Sequence, residues 1–348
     1  MRIHLTVADD AAERSLVNLV RLFADEPVVT FGPEPDPEAD FAVRLEAAET
    51  GGTVRASAAF LRRADGLRRG AVHERAVPDD ASPERRRKIM RQAMSRTLLD
   101  VLQQETGLVQ PWGILTGVRP TKLMHEGLRQ GRPREEIRQM LRDDYLVTED
   151  KIALMERIVD RQLTALPDLY RLRDEVSVYI GIPFCPTKCA YCTFPAYDIN
   201  GRQGSVSGFL AGLHEEIRVI GQWLKERGVR ITTVYFGGGT PTSISAEEMD
   251  ALYAEMHRSF PHADAIREVT VEAGRPDTIT PEKLDVLRKW NVHRISINPQ
   301  SYIQETLDRI GRHHTVEETV EKFRLARRMG MTNINMDLII GLPGEGPA

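Results

Sequence analysis

Three cysteines are the residues of this chain whose type and spacing point most directly to chemistry. Cys185, Cys189 and Cys192 lie within eight residues, and the 348-residue chain contains no other cysteine. An odd number of clustered thiols does not fit a set of structural disulfides. The spacing therefore predicts metal or redox chemistry at one loop.

The pattern Cys185-x3-Cys189-x2-Cys192 favours a cubane [4Fe–4S] cluster over zinc. Three thiolates can bind three irons of such a cluster and leave the fourth iron open to a small molecule. Zinc normally needs a fourth Cys or His nearby, and residues 181–198 contain none beyond the triplet. His214 is the nearest candidate for that ligand. Zinc and inert core thiols are the alternatives.

The cysteine loop follows the first of five short apolar segments, which alternate in a series with four amphipathic segments. The apolar segments cover residues 176–182, 232–236, 268–272, 294–297 and 333–340. The amphipathic segments lie near residues 207–227, 246–260, 281–290 and 316–329. Strands that alternate with helices of this length predict βα units and a parallel sheet, with a ligand site at the carboxyl ends of the strands.

The chain before this series is predicted to form an α+β domain, residues 1–107. Strand patterns occur at residues 3–7, 41–46 and 54–60, and a helix pattern occurs at 13–23. A long helix follows, with Ser82 as its cap, Pro83 in its first turn and Gly107 at its end.

A connector, residues 108–170, is predicted to join this domain to the series at 171–348. Two prolines and two glycines interrupt residues 111–123, which we expect to form a loop or short turns. Helix patterns follow at residues 134–142 and 149–163.

Charge and hydropathy exclude a largely disordered chain, a fibrous protein and a protein that spans a membrane. The 51 acidic and 47 basic residues give a net charge of -4, and 41% of residues are hydrophobic, which is typical of globular proteins. No run approaches the about 18 apolar residues of a membrane span, and the N-terminus lacks a signal-peptide pattern. We expect a soluble cytoplasmic protein. Residues 62–96 carry a local charge of +6, interpreted as a solvated helix face or, alternatively, a docking face for an anion.

Two runs of sequence resemble a known family. YIGIPFCPTKCAYCTF, residues 179–194, and Gly237-Gly238-Gly239-Thr240-Pro241-Thr242 are similar to radical S-adenosylmethionine (SAM) enzymes of the oxygen-independent coproporphyrinogen III oxidase branch. GILTGVRPTK, residues 113–122, and VEAGRPDT, residues 271–278, look like the HemZ-type coproporphyrinogen dehydrogenases. The resemblance covers roughly residues 111–348. It implies a partial (β/α)6 barrel of which five βα units are present.

The resemblance also implies roles for individual residues. Cys185, Cys189 and Cys192 would bind the [4Fe–4S] cluster. Contacts to SAM would come from Tyr179, Tyr191, Gly238, Gly239, Thr240, Glu272, Gln300, Arg312 and Asp337. Arg312 would hold the SAM carboxylate, and the two acidic residues would meet its ribose or sulfonium end. Residues 341–345 resemble the family's adenine-side loop. His313 and His314 resemble family residues that bind no metal, and no catalytic residue is assigned.

The implied reaction is the anaerobic conversion of coproporphyrinogen III to protoporphyrinogen IX in haem biosynthesis. The reduced cluster would pass one electron to SAM, which splits into methionine and a 5'-deoxyadenosyl radical. The radical would take a hydrogen atom from the β-carbon of a propionate. Loss of carbon dioxide and one electron leaves a vinyl group. Expected partners are the porphyrinogen and a reductant such as flavodoxin or ferredoxin, without a membrane or nucleic acid. Arg119 and Lys122 are candidate contacts to the substrate's carboxylates.

Two other functions remain open at this point. A haem-binding chaperone of the same family would carry the cluster without oxidising a porphyrinogen. A radical SAM enzyme acting on RNA would use the +6 stretch, although that stretch lacks interleaved aromatics.

The chain departs from the better-known oxidases at three places. Phe194 stands where they have a further Cys, Gly181 where they have a His, and Asn298-Pro299 where a Gly-containing pair is common. We also expect the sequence to be a fragment, because the family's sixth βα unit would follow Ala348.

Overall fold

The structure is a computed structural model that describes residues 1–7, 12–117, 119–201 and 205–346. It divides the chain into two compact units, Met1–Arg171 and Leu172–Ala348. The further division at residue 107 stays a prediction. In the part of the chain that is described, no helix is both long and apolar enough to cross a membrane.

The N-terminal unit begins with a five-stranded mixed sheet in the order β2-β1-β3-β4-β5. Its strands are β1 (Arg2–Val7), β2 (Val28–Phe31), β3 (Phe41–Thr50), β4 (Thr53–Arg62) and β5 (Arg68–Ala76). Its helices are α1 (Glu13–Val20) and α2 (Pro83–Thr106). Residues of β3 and β4 alternate between buried and exposed, so one face of the sheet packs on the helices. The predicted caps of α2 are confirmed, because the Ser82 hydroxyl accepts a hydrogen bond from the Arg85 amide and Gly107 is left-handed.

Two strands of this sheet, β2 and β5, were not predicted. Strand β5 lies inside the basic stretch 62–96, so the helix-face interpretation is wrong for its residues. Strand β5 is difficult to predict from sequence because it lies at an edge of the sheet and neither of its faces carries a continuous row of apolar residues.

Three helices complete the N-terminal unit: α3 (Thr121–Arg129), α4 (Arg134–Asp143) and α5 (Glu149–Ala165). They share an apolar core with Met124, Ile137 and Met155 at its centre. The predicted loop at residues 111–123 is wrong at its end, because Lys122 lies in the first turn of α3. Pro120 precedes that turn, where proline leaves no helical hydrogen bond unmade. Val118 of this segment lies outside the described residues.

The C-terminal unit is built on the predicted parallel sheet, in the order β12-β11-β10-β9-β6. The sheet strands are β6 (Glu175–Ile182), β9 (Arg230–Gly238), β10 (Glu268–Glu272), β11 (Arg294–Ser296) and β12 (Ile334–Asn335). A small separate pair is formed by β7 (Phe184–Cys185) and β8 (Tyr197–Asp198). The helices are α6 (Val206–Glu226), α7 (Ala246–Ser259), α8 (Pro281–Lys289), α9 (Gln304–Arg309) and α10 (Val316–Arg328).

Strand order follows chain order, and a helical connection lies between successive strands of the sheet, as in a barrel of βα units. Phe236 of β9 is fully buried and meets the ring of Tyr253 of α7 edge-on at 4.8 Å. The last strand is shorter than predicted: β12 has two residues, and beyond it an isolated bridge joins Leu338 to Gln300. Asp337 therefore does not lie on the fifth strand.

Contact between α6 and α7 depends on Gly221, because a Cβ there would lie 2.3 Å from the Ser259 carbonyl oxygen. We predict that Gly221→Ala destabilises the protein by about 1–3 kcal/mol through overpacking. Gly212→Ala is the matched control on the same helix, where a Cβ has nothing within 4 Å. It should stabilise by about 0.5–1 kcal/mol through helix propensity. Urea unfolding measures both, and equal effects of the two changes would contradict the packing argument.

Candidate functional site

The cysteine loop begins directly after the first strand of the parallel sheet, as predicted. Cys185 lies on β7, and the Cys192 amide donates to the Cys189 carbonyl at 3.1 Å, which makes a tight turn. The loop is tied to distant sequence, because the Ala190 amide donates to the carbonyl of Ile310 at 3.0 Å. The loop is thus held by the paired strands β7 and β8, which flank it, and by the hydrogen bond of Ala190 to Ile310.

The three thiols are half-buried and close enough to influence one another. Burial raises the pKa of Cys185, and the neighbouring Cys189 and Cys192 raise it further. The Cys185 thiol and the Thr240 hydroxyl form a hydrogen bond of 3.3 Å, which opposes that rise. The structure therefore brings the predicted triplet together at one place.

The glycine run at the end of β9 lies against the cysteine-bearing strand. The Gly239 amide donates to the Ile182 carbonyl at 2.8 Å, and the Thr240 amide donates to the Phe184 carbonyl at 2.7 Å. A Cβ at Gly239 would lie 2.6 Å from the Phe184 oxygen, and Gly238 has a φ of 104°, which favours glycine. The fold itself requires these glycines, and their contact with SAM stays a prediction.

Two tyrosines and a glutamate form a second cluster at the carboxyl ends of the strands. Tyr179 stacks on Tyr235 with ring centroids 5.7 Å apart, and the Tyr235 hydroxyl donates to Glu272 Oε1 at 2.6 Å. Tyr179 is 57% exposed, so it is not a core aromatic. Burial raises the pKa of Glu272, and the charge of Asp337 raises it further. Sequence reasoning missed Tyr235, which precedes the glycine run by two residues.

Gln300 and Asp337 are brought together by the backbone. The Gln300 amide donates to the Asp337 carbonyl, and the Ile339 amide donates to the Gln300 carbonyl, each at 3.0 Å. Gln300 has a φ of 66°, an uncommon backbone for this residue type. Strain of this kind is concentrated at functional sites, which keeps Gln300 among the candidates.

Arg312 is 6% exposed and joins three loops of the site. Its Nη1 donates to the carbonyls of Gly274 and Asn298 at 2.9 and 3.1 Å, and its Nη2 donates to the Tyr191 hydroxyl at 3.2 Å. Most of its donors are therefore used by the protein. The contact to the SAM carboxylate stays a prediction, and the structure adds a role in fastening the loops.

Both histidines after Arg312 lie in the loop between α9 and α10, not on a helix. His313 is exposed, whereas His314 is fully buried and neither of its ring nitrogens has a hydrogen-bond partner within the described residues. Burial and the nearby Arg312 lower the pKa of His314 to about 4, so the ring is neutral at physiological pH. Buried oxygens of Ser296 and Asn298 also lack described partners.

Arg275 is the site residue that sequence reasoning overlooked most clearly. It is 2% exposed, and its Nη1 lies 3.3 Å from the Cys189 sulfur. In the run VEAGRPDT this arginine stands three residues after the end of the third strand, and nothing in the run itself indicates its contact with Cys189. The two substrate candidates, Arg119 and Lys122, are exposed residues of the N-terminal unit, and their role stays a prediction.

Comparison with known proteins identifies the family. Residues 179–348 match the radical SAM superfamily. The chain is 56% identical over 340 residues to the oxygen-independent coproporphyrinogen-III oxidase-like protein HemZ of Bacillus subtilis, covering 98% of this chain and 67% of that protein. The chain belongs to the radical SAM superfamily. Its similarity to HemZ places it in the coproporphyrinogen oxidase-like group.

Other relatives match a smaller part of the chain. Heme chaperone HemW of Bacillus subtilis is 37% identical over 169 residues, covering 49% of this chain and 43% of the chaperone. Coproporphyrinogen III oxidase (HemN) of Escherichia coli has a solved structure that matches with 29% identity and a TM-score of 0.45, over 50% of this chain and 39% of that one. The chain thus spans about two thirds of HemZ and less than half of these two proteins.

The radical SAM superfamily uses a [4Fe–4S] cluster and SAM, and these are the cofactors of this chain. The site fits an anionic cluster, because a buried guanidinium lies against one thiol and all three thiols adjoin one another. Among the described residues, no three His, Cys, Asp or Glu side chains are grouped to hold a metal ion. A cubane cluster does not need three side chains that converge on one metal ion, because each thiolate binds a separate iron.

We predict that anaerobic reconstitution loads about four irons per chain and that Cys185→Ala, Cys189→Ala or Cys192→Ala abolishes this loading. A triplet has no spare ligand, and the chain has no other cysteine. His313→Ala, an exposed neighbour of the site, is the control and should leave the iron content unchanged. A protein that retains zinc and takes up no iron would show that the ligand assignment is wrong.

We predict that Glu272→Gln stabilises the cofactor-free protein at neutral pH and weakens SAM binding. The folded state raises the pKa of this carboxyl, so its ionised form destabilises the fold above that pKa. The difference between variant and wild type should shrink as the pH falls through the folded pKa of Glu272 towards its ordinary value of 4.5, because this carboxyl is then protonated in the folded state and becomes protonated in the unfolded state as well. Urea unfolding at several pH values measures it.

The neighbouring carboxylate supplies the control for this pH effect. Asp337→Asn removes one cause of the raised pKa of Glu272 and should reduce the pH dependence. A Glu272→Gln variant less stable than wild type at every pH would contradict the prediction.

Proposed function

We propose that this protein is an oxygen-independent coproporphyrinogen III dehydrogenase of haem biosynthesis. The supporting observation is the 56% identity to HemZ, which extends over 98% of the chain and so includes the N-terminal unit. Matches to HemW cover only about half of the chain. The proposed reaction removes carbon dioxide, one hydrogen atom and one electron from each of two propionates and leaves two vinyl groups.

The bound cluster and SAM together supply the radical that removes the hydrogen atom. The residues of the protein bind and orient the cluster, SAM and the substrate. Cys185, Cys189 and Cys192 hold the cluster, and the backbone of the glycine run and Thr240 lies beside them. Glu272, fixed by the Tyr235 hydroxyl, accepts hydrogen bonds from ligand hydroxyls.

The substrate carries four carboxylates and needs cationic partners. Arg119 and Lys122 are exposed residues beside and in the first turn of α3, and we assign them to the substrate. A carboxylate contact of this kind is charge-assisted and typically contributes about 1.5–3 kcal/mol. The electron removed from the propionate passes to an acceptor outside the protein.

A low-potential reductant such as flavodoxin or ferredoxin is the proposed electron source, and we place the protein in the cytoplasm. Three free thiols in one loop support a reducing compartment.

A haem chaperone is the second candidate, because HemW proteins match half of the chain at 31–37% identity. Both candidates would bind the cluster. They differ in whether porphyrinogen is consumed, so a product assay separates them.

We predict that the reconstituted protein, incubated anaerobically with coproporphyrinogen III, SAM and a reductant, yields products that have lost one and then two molecules of carbon dioxide. Mass spectrometry detects the losses, and Cys189→Ala is the inactive control. Arg119→Ala and Lys122→Ala should each raise KM by about ten- to a hundred-fold if these contacts are made. Stoichiometric haem binding without product would favour the chaperone and overturn the proposal.

A further inference from the structure

Arg275 lies beside the cysteine loop with its guanidinium removed from solvent. Its Nη1 donates to the Cys189 sulfur at 3.3 Å and to the Thr187 carbonyl at 3.4 Å. Its Nη2 donates to the Thr187 hydroxyl at 2.9 Å, and its Nε donates to Asp277 Oδ1 at 3.3 Å. One side chain thus joins the loop after β10 to the loop that carries the thiols.

The loop after β10 holds Arg275 in place by local interactions. The Thr278 amide and hydroxyl both donate to the Arg275 carbonyl, at 3.0 and 2.7 Å. Pro276 follows directly and restricts the backbone at the start of this turn. The Thr278 hydroxyl also lies 2.6 Å from the Thr242 hydroxyl, which ties the turn to the end of the glycine run. The guanidinium is therefore preorganised against the thiol.

The two buried arginines bring two positive charges to the site, and their direct contacts among the described residues include one carboxylate. Asp277 is the carboxylate that contacts Arg275, and its side chain is 24% exposed. The hydrogen bonds of Arg312 within the described residues go to two carbonyls and a tyrosine hydroxyl. A buried cation costs several kcal/mol unless an anion compensates it. The thiolates of an occupied site would provide that compensation.

We propose that Arg275 is a positioning residue that fixes Cys189 and raises the reduction potential of the cluster. This rests on the proposed assignment of Cys189 as a cluster ligand. Three thiolates give the cluster a net negative charge, and the one electron delivered by the reductant adds to it. A buried cation and an N–H···S hydrogen bond stabilise the reduced state more than the oxidised state. Hydrogen bonds to cluster sulfurs are among the factors that set such potentials.

Redox titration of the reconstituted protein tests this without any measurement of turnover. The one-electron reduction is followed by electron paramagnetic resonance, with dithionite as reductant and no SAM present. Arg275→Gln removes the charge, and we expect the equilibrium constant for reduction to fall about ten-fold, a shift of about 59 mV to more negative potential. Arg275→Lys keeps the charge but lacks the planar fork, and its shift should be smaller.

Asp277→Asn is the matched variant with the opposite expectation. It removes the compensating carboxylate and leaves Arg275 in place, so the potential should become more positive. A purely structural role would move the two variants in the same direction or lower only the iron content. If Arg275→Gln fails to load iron, Asp277→Asn decides, and an unchanged or more negative potential in that variant would overturn the inference.

Failure of this inference is distinguishable from failure of the proposed function. Wild-type protein that takes up no iron would remove the cluster assignment itself. A loaded Arg275→Gln protein with the wild-type potential would leave the cluster assignment intact and reject the role of Arg275.

Discussion

The site depends on the close approach of two strand ends, β6 with its continuation into Cys185 and β9 with its glycine run. The Gly239 and Thr240 amides donate to carbonyls of the cysteine-bearing segment, and this backbone contact leaves no space for a side chain. A larger residue at position 239 would displace Phe184, which is buried in the core beneath. The cysteine loop would move with it. The glycines therefore act first through geometry, before any ligand is considered.

A second constraint follows from charge. The Cys185 thiol lies where burial disfavours its ionised form and raises its pKa. Arg275 and Arg312 are buried around the same loop, and cations in such surroundings favour anionic neighbours. The cost of ionising a buried thiol and the cost of burying the Arg275 guanidinium are both reduced when a thiolate forms at Cys189 beside that guanidinium. This reciprocity accounts for the burial of Arg275 beside the cysteine loop.

Local signals in the sequence predicted several of the local features correctly. The βα alternation, the Ser82 and Gly107 caps and the position of Glu272 at the end of its strand all follow from periodicity and capping residues. Strand β5 and helix α3 were missed, because an edge strand can lack an apolar face and because prolines suggested a loop. Arg275 was missed for another reason. Its contact with Cys189 joins positions 86 residues apart, and no local pattern reports a tertiary contact.

Several buried polar atoms near the site lack hydrogen-bond partners among the described residues, which favours the binding of a polar ligand. The hydroxyl of Ser296, the amide oxygen of Asn298 and both ring nitrogens of His314 are buried without described partners. Each such group costs about 1–3 kcal/mol until something hydrogen-bonds to it. Ordered water can meet part of this cost, and a polar ligand that brings its own donors and acceptors can meet more. Ser296 ends β11, Asn298 follows that strand, and His314 follows Arg312, whereas the thiols follow β6. A ligand that satisfied both groups would therefore be fixed at two ends. The orphaned atoms would then determine its orientation relative to the cysteines.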